Sequence, residues 1–136
     1  MIDKADLWPR LLKATPSFQS DFDQQAPGDA GLDYIIAANY ARHLLTIYSS
    51  DETKVFSAIS YVIERMISQG DTYVSEFAII GLLEDILFTW QSADRDQENF
   101  AQYLLPLSLA YWKSIAKFWS GEIAYIGADI SRDDLT

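Results

Sequence analysis

Apolar residues in this chain recur at intervals of three and four over most of its length, and that period commits it to helices. Ile36, Tyr40, Leu44 and Ile47 form one such stripe in a segment from about residue 32 to 48. Val55, Ile59, Val62, Ile63, Met66 and Ile67 form a second, over 52–69. Tyr73, Val74, Phe77, Ile80, Leu83, Leu87 and Trp90 form a third, over 72–90. Leu109, Trp112, Ile115, Ala116 and Trp119 give the last, opened by Pro106 and ended by Gly121. Strict alternation never lasts long enough to build a sheet. The fold class read from this pattern is all-α: a compact bundle of about five to seven helices.

Capping residues divide the stripes. Asp3 or Asp6 caps a first short helix carrying Leu7, Leu11 and Leu12, where Pro9 is tolerable only within the first turn. Thr15-Pro16 reads as a cap and first position for a helix with Phe18 and Phe22 on one side. The stretch 26–29 is a loop, and Ser49 with Glu52 has the spacing of a capping box. Gly70 stands where a helix ends, and Asp71 or Thr72 opens the next. A two-residue link between segments 52–69 and 72–90 predicts a central antiparallel hairpin. With the preceding helix this hairpin could also make a short helical-repeat-like stack, although no internal repeat supports it. After a polar break at 92–94, a helix is expected from about Arg95 to Tyr103. Ile123, Tyr125 and Ile126 of the tail could dock on the core, with a frayed end at 131–136.

At 136 residues the chain suits a single domain, and 49% apolar with 14% aromatic side chains supply a packed core without staples. No cysteine is present, which excludes disulfides, thiolate catalysis and Cys-ligated zinc. The N-terminus lacks a signal-peptide pattern, and no apolar run approaches the ~20 residues that span a bilayer, so a cytoplasmic protein is expected. Twenty acids against ten bases give a formal charge of −10. Such a surface repels nucleic acid and anionic membranes and attracts a basic protein surface. Solubility alone would also account for it.

Catalytic and cofactor signatures are missing from the sequence. His43 is the single histidine, and its helical neighbours at three and four are Asn39, Tyr40, Thr46 and Ile47, with no carboxylate to orient a base. Glu-x-x-His pairs and phosphate-cradling glycine loops do not occur. Glu84-Asp85 is the one carboxylate pair inside an apolar helix, but adjacent residues diverge by ~100° and cannot both face one ion. An enzyme and a bound cofactor or metal are therefore not expected; a ligand site using Glu84, Asp85, Tyr73 or His43 is the weaker alternative.

Charge instead suggests contact with a partner. Seven acids and one base lie between Asp71 and Glu98, and four acids with no base lie between Asp21 and Asp33. Glu76, Glu84, Asp85, Asp94, Asp96 and Glu98, with Trp90 as an aromatic anchor, are the candidate partner-binding residues. A solvated helix face with Trp90 in the core is the structural alternative. Gly81, inside a helix at a cost of ~1 kcal/mol, predicts a close approach near Leu82 and Leu83.

The hairpin segment VFSAISYVIERMISQGDTYVSEFAIIGLLEDI, with Val55, Phe56, Ile63, Glu64, Gly70, Asp71, Val74, Ile80, Gly81, Leu82, Leu83 and Glu84, resembles a bacterial all-helical family of small acidic proteins. LWPRLLKATPSF and YWKSIAKFW are similar too. The likeness covers about two thirds of the chain. It implies an immunity protein, one that binds and neutralises a cognate toxin of a polymorphic toxin system, and it carries over no catalytic residue. A scaffolding or peptide-binding module, or a homodimer, is the alternative.

Overall fold

The computed structural model describes residues 1–25 and 32–131. Helix α1 (Lys4–Ala14) starts at Asp3, where Asp3 and Asp6 accept from each other's backbone N–H in a capping box. It runs through Pro9, contrary to the expectation that this proline must sit in a first turn. The helix begins one turn earlier, and both Pro9 and Ala5, whose carbonyl loses its bond, are exposed, so that carbonyl is not buried unpaired. A 3₁₀ turn (Pro16–Phe18) leads into α2 (Gln19–Gln25). Thr15 does not cap it; its hydroxyl is buried and shares a 2.6 Å hydrogen bond with the Tyr40 hydroxyl. The loop expected at 26–29 lies outside the described residues.

Helix α3 (Asp33–Ser49) buries Ile36, Ala37, Tyr40, Ala41, Leu44 and Ile47. The capping box expected at Ser49 and Glu52 does not form, because Ser49 is the last residue of α3 and the chain turns at Ser50 and Asp51. Asp51 has φ of 59°, and the Glu52 N–H donates back to the Ile47 carbonyl, a closing pattern that normally uses glycine. A 3₁₀ turn (Thr53–Val55) and α4 (Phe56–Gln69) follow.

Gly70 is extended (φ −77°), so a left-handed conformation is not its reason for being there. Any Cβ would collide with the Met66 carbonyl and the Val74 side chain. Ile2 lies against this turn in a parallel bridge, taking a bond from Asp71 N–H and giving one to the Gln69 carbonyl, 2.8 Å each. Asp71 then caps α5 (Thr72–Glu76) through the Val74 N–H at 2.8 Å.

The helix begun at α5 widens into a π segment (Phe77–Leu83) and resumes as α6 (Glu84–Ser92). Gly81 sits in the wide turn, where a Cβ would stand 2.8 Å from Phe77 and 3.3 Å from Tyr34 of α3. The close approach expected there is real, and its partners are these two rings. The helix expected from Arg95 is shorter: α7 spans Glu98–Ala101. Asp94, at φ 55°, closes α6 as Asp51 closes α3, and the Asp96 carboxylate accepts from Glu98 N–H.

Helix α8 (Pro106–Trp119) has no capping side chain of its own at Leu105. Glu64 of α4 supplies one from 43 residues away, accepting from Leu107 N–H (3.0 Å), Ser108 N–H (2.7 Å) and the Ser108 hydroxyl (2.8 Å). In the tail, Ile126 packs on the core and Gly127 N–H donates to Ser114, whereas Tyr125 is exposed.

The all-α bundle is thus as expected, with α3 and α8 packed on either side of the π segment and α6, and α4 touching α1, α5 and α8. Two aromatic groups fill it. Trp8, Phe18, Phe22, Tyr40 and Phe77 meet at one end, and Tyr48, Phe56, Trp90, Phe100 and Trp112 meet at the other. Asp33 ties three helices, accepting from the Trp8 indole N–H (3.1 Å) and the Tyr73 hydroxyl (2.7 Å). Among the described residues no helix is long and apolar enough to cross a membrane.

Candidate partner-binding face

Ile80, Glu84 and Phe88 follow at four-residue intervals through the π segment and α6, and so share one side of that element. Phe88 is 60% exposed and Ile80 46%. At the end of α8, Trp119 meets Phe88 edge-on, ring centroids 6.5 Å apart. Its indole N–H donates to Glu84 Oε2 at 3.0 Å, which fixes the ring upright beside a carboxylate. Trp119 remains 37% exposed. Two large aromatic rings held in contact at the surface are unusual for a residue type that folding normally buries.

On the other flank of α6, a groove of about 340 Å³ separates it from α3. Ala38, Arg42 and Leu45 form one wall, and Asp85, Phe88 and Thr89 form the other. Burial, with Glu84 beside it, pushes the Asp85 carboxyl up to about 6, an effect that the Arg42 charge only partly opposes. Arg42 is turned along its own helix, donating to Asn39 Oδ1. The Asp85 carboxylate has no hydrogen bond or ion pair among the described residues.

The expected site residues are not brought together as one patch. Glu76 is exposed at the edge of a shallow recess with Ile80, Tyr111 and Ile126. Along the helical rise, 18 residues from Glu76 to Asp94 span ~27 Å, so the tract is a stripe. Asp94 and Asp96 are engaged in backbone geometry at the α6–α7 turn, and Glu98 is exposed in the first turn of α7. Trp90 is corrected outright as an accessible anchor: it is 0% exposed, enclosed by Tyr48 and Phe100. Phe88 and Trp119, which the sequence reading did not single out, occupy the surface position assigned to it. Trp90 continues the spacing of Leu83 and Leu87, whereas Phe88 departs from it, and that offset was the available signal.

His43 also has company its own helix did not foretell. The 3₁₀ turn and α2 bring Ser17 and Asp21, four residues apart, to its ring. Ser17 Oγ hydrogen-bonds Nε2 at 2.8 Å, and Asp21 Oδ2 lies 4.0 Å from Nδ1. The order of groups is that of a hydrolytic triad, but 4.0 Å exceeds a hydrogen bond, so Asp21 does not fix the ring's tautomer. Burial lowers the His43 pKa, and the ring also leans on Phe18. The described residues hold no group of three or more His, Asp or Glu side chains able to hold a metal.

A family model described as "Domain of unknown function (DUF7674)" matches residues 8–120. The chain belongs to that family. The DUF7674 span begins at Trp8, inside α1, and closes just past Trp119, so the whole of the Phe88–Trp119–Glu84 arrangement and the α3–α6 groove fall within it. Capping residue Asp3 and the tail from Gly121 fall outside. No curated protein and no solved structure matches the chain.

Proposed function

We propose that this protein is a non-catalytic binding factor that uses the α6–α8 face to hold a basic protein partner, and that it acts in the cytoplasm as the immunity factor of a cognate bacterial toxin. The observation that carries the reading is the exposed Phe88–Trp119 pair braced by Glu84. Aromatic side chains ringed by polar groups are the composition of interface hot spots. A net charge of −10 supports a basic partner, since opposite potentials speed encounter. A nuclease or other toxin with a cationic substrate groove fits this complementarity, and occupation of that groove would block it. Rapid capture suits a protein that must neutralise a toxin before it acts.

Co-expression with the product of the adjacent gene is the test. Co-purification of the two and survival of cells making the toxin domain are expected. Separate elution, with no protection, would refute the reading. A scaffolding role through self-association would instead show as a concentration-dependent dimer by light scattering, without any second chain.

A further inference from the structure

The α3–α6 groove carries a more specific assignment, which rests on the binding role proposed above. Its walls are apolar where Ala38, Leu45 and Phe88 stand, and the α6 wall also carries Asp85. The Asp85 carboxylate is half-buried and makes no hydrogen bond or ion pair among the described residues. Its oxygens are not among the buried unpartnered atoms, so they face solvent and an incoming donor can reach them. Among the described residues Arg42 is the one cation acting on it, from across the groove, and its guanidinium is committed to Asn39. Glu84, the neighbour on the same helix, is committed to Trp119 and adds like charge. The groove therefore sets the Asp85 carboxylate against Arg42, with Glu84 beside it and an exposed aromatic face at its rim, and it is open at the surface.

We infer that this groove receives an arginine side chain of the bound protein, its methylene stem along Leu45 and Ala38, its guanidinium stacked on Phe88 and paired with Asp85. Arginine fits better than lysine here. Its planar fork matches a carboxylate with two parallel bonds, and it is less strongly hydrated, so it enters a half-buried site at smaller cost. Stacking on an aromatic face adds a cation–π contribution. The Thr89 and Ser92 positions lie along the same wall, within a site of about 340 Å³, ample for one side chain.

The assignment can be tested without the partner, using N-acetyl-arginine methylamide as a probe and N-acetyl-norleucine methylamide as the uncharged control. The protein is labelled with ¹³C and ¹⁵N, and the probe is titrated at pH 7.5 while the Asp85 carboxyl and Phe88 ring signals are followed. Saturable shifts at both are expected with the arginine probe, and none with norleucine. Asp85→Asn should weaken binding about tenfold, the loss expected for a charge-assisted pair. Arg42→Ala should strengthen it, by removing the competing cation. Amide spectra of both variants confirm that each is folded. Shifts that never saturate, equal shifts in Asp85→Asn, or an equal response to norleucine would each overturn the assignment. If the probe fails but the neighbouring gene product still co-purifies, only the arginine groove falls. If the probe binds and no partner is captured, the groove stands and the immunity reading falls.

Discussion

Replacing Asp85 by Asn should make this protein more stable at neutral pH. An aspartate ordinarily titrates near 3.8, and Asp85 is pushed up to about 6 in the fold. A carboxyl whose folded pKa is raised disfavours the folded state once it ionises. The penalty is absent below 3.8, where folded and unfolded chains are both protonated, and grows as pH rises to about 6. The gap of about two pH units corresponds to at most about 3 kcal/mol. Asp85 is only half-buried, so solvent screening reduces this, and about 1 kcal/mol is the expected gain. Urea denaturation of the wild type and Asp85→Asn at pH 7.5 measures it directly. Repeating it at pH 5, still above the chain's isoelectric point near 4.3, should cut the advantage of Asn by roughly half. A variant less stable than wild type at pH 7.5, or an advantage that does not shrink at pH 5, would refute the reasoning. A gain would mean that the chain keeps a destabilising charge at its surface groove, the pattern expected where binding and stability compete.

Other substitutions test the rest of the fold. Glu64→Ala should cost about 2 kcal/mol in urea denaturation, because the Leu107 and Ser108 N–H groups at the start of α8 lose their acceptor. Asp94→Gly should raise stability by about 0.5 kcal/mol, since φ of 55° favours glycine and the aspartate faces the negative end of α6. It should leave partner binding unchanged. Gly81→Ala should destabilise by about 1–2 kcal/mol, the clash of a Cβ with Phe77 and Tyr34 outweighing the gain in helix propensity, as thermal unfolding would show.

Local signals in the sequence predicted local structure well. Apolar spacing placed the α3, α4, α6 and α8 stripes, and of the two caps offered for α1, Asp3 or Asp6, Asp3 is the one that starts it. Where two local readings competed, tertiary contacts chose between them. Ser49 and Glu52 had the spacing of a cap, but Ser49 is the last residue of α3 and Asp51 closes that helix with a left-handed backbone. Nothing local to Glu64 signals its role at α8, which depends on how α4 crosses that helix. The candidate face was partly visible for the same reason. Glu84 and Asp85 were recognised as carboxylates in an apolar helix. Trp90 and Phe88, two residues apart, stand ~200° round that helix, so one must face inward when the other faces out. Trp119 joins them only because α8 ends beside α6. His43 shows the converse, since Ser17 and Asp21 reach it from the 3₁₀ turn and α2 rather than from its own helix.

The central claim is that Phe88 and Trp119 form the contact surface for a basic protein. Affinity for the captured partner, measured by calorimetry for wild type, Phe88→Ala, Trp119→Ala and the control Tyr61→Ala on the α1–α4 side, tests it most directly. Each of the first two should weaken binding more than tenfold without loss of fold, and the control should leave it unchanged. Undiminished affinity in both Phe88→Ala and Trp119→Ala would contradict the claim.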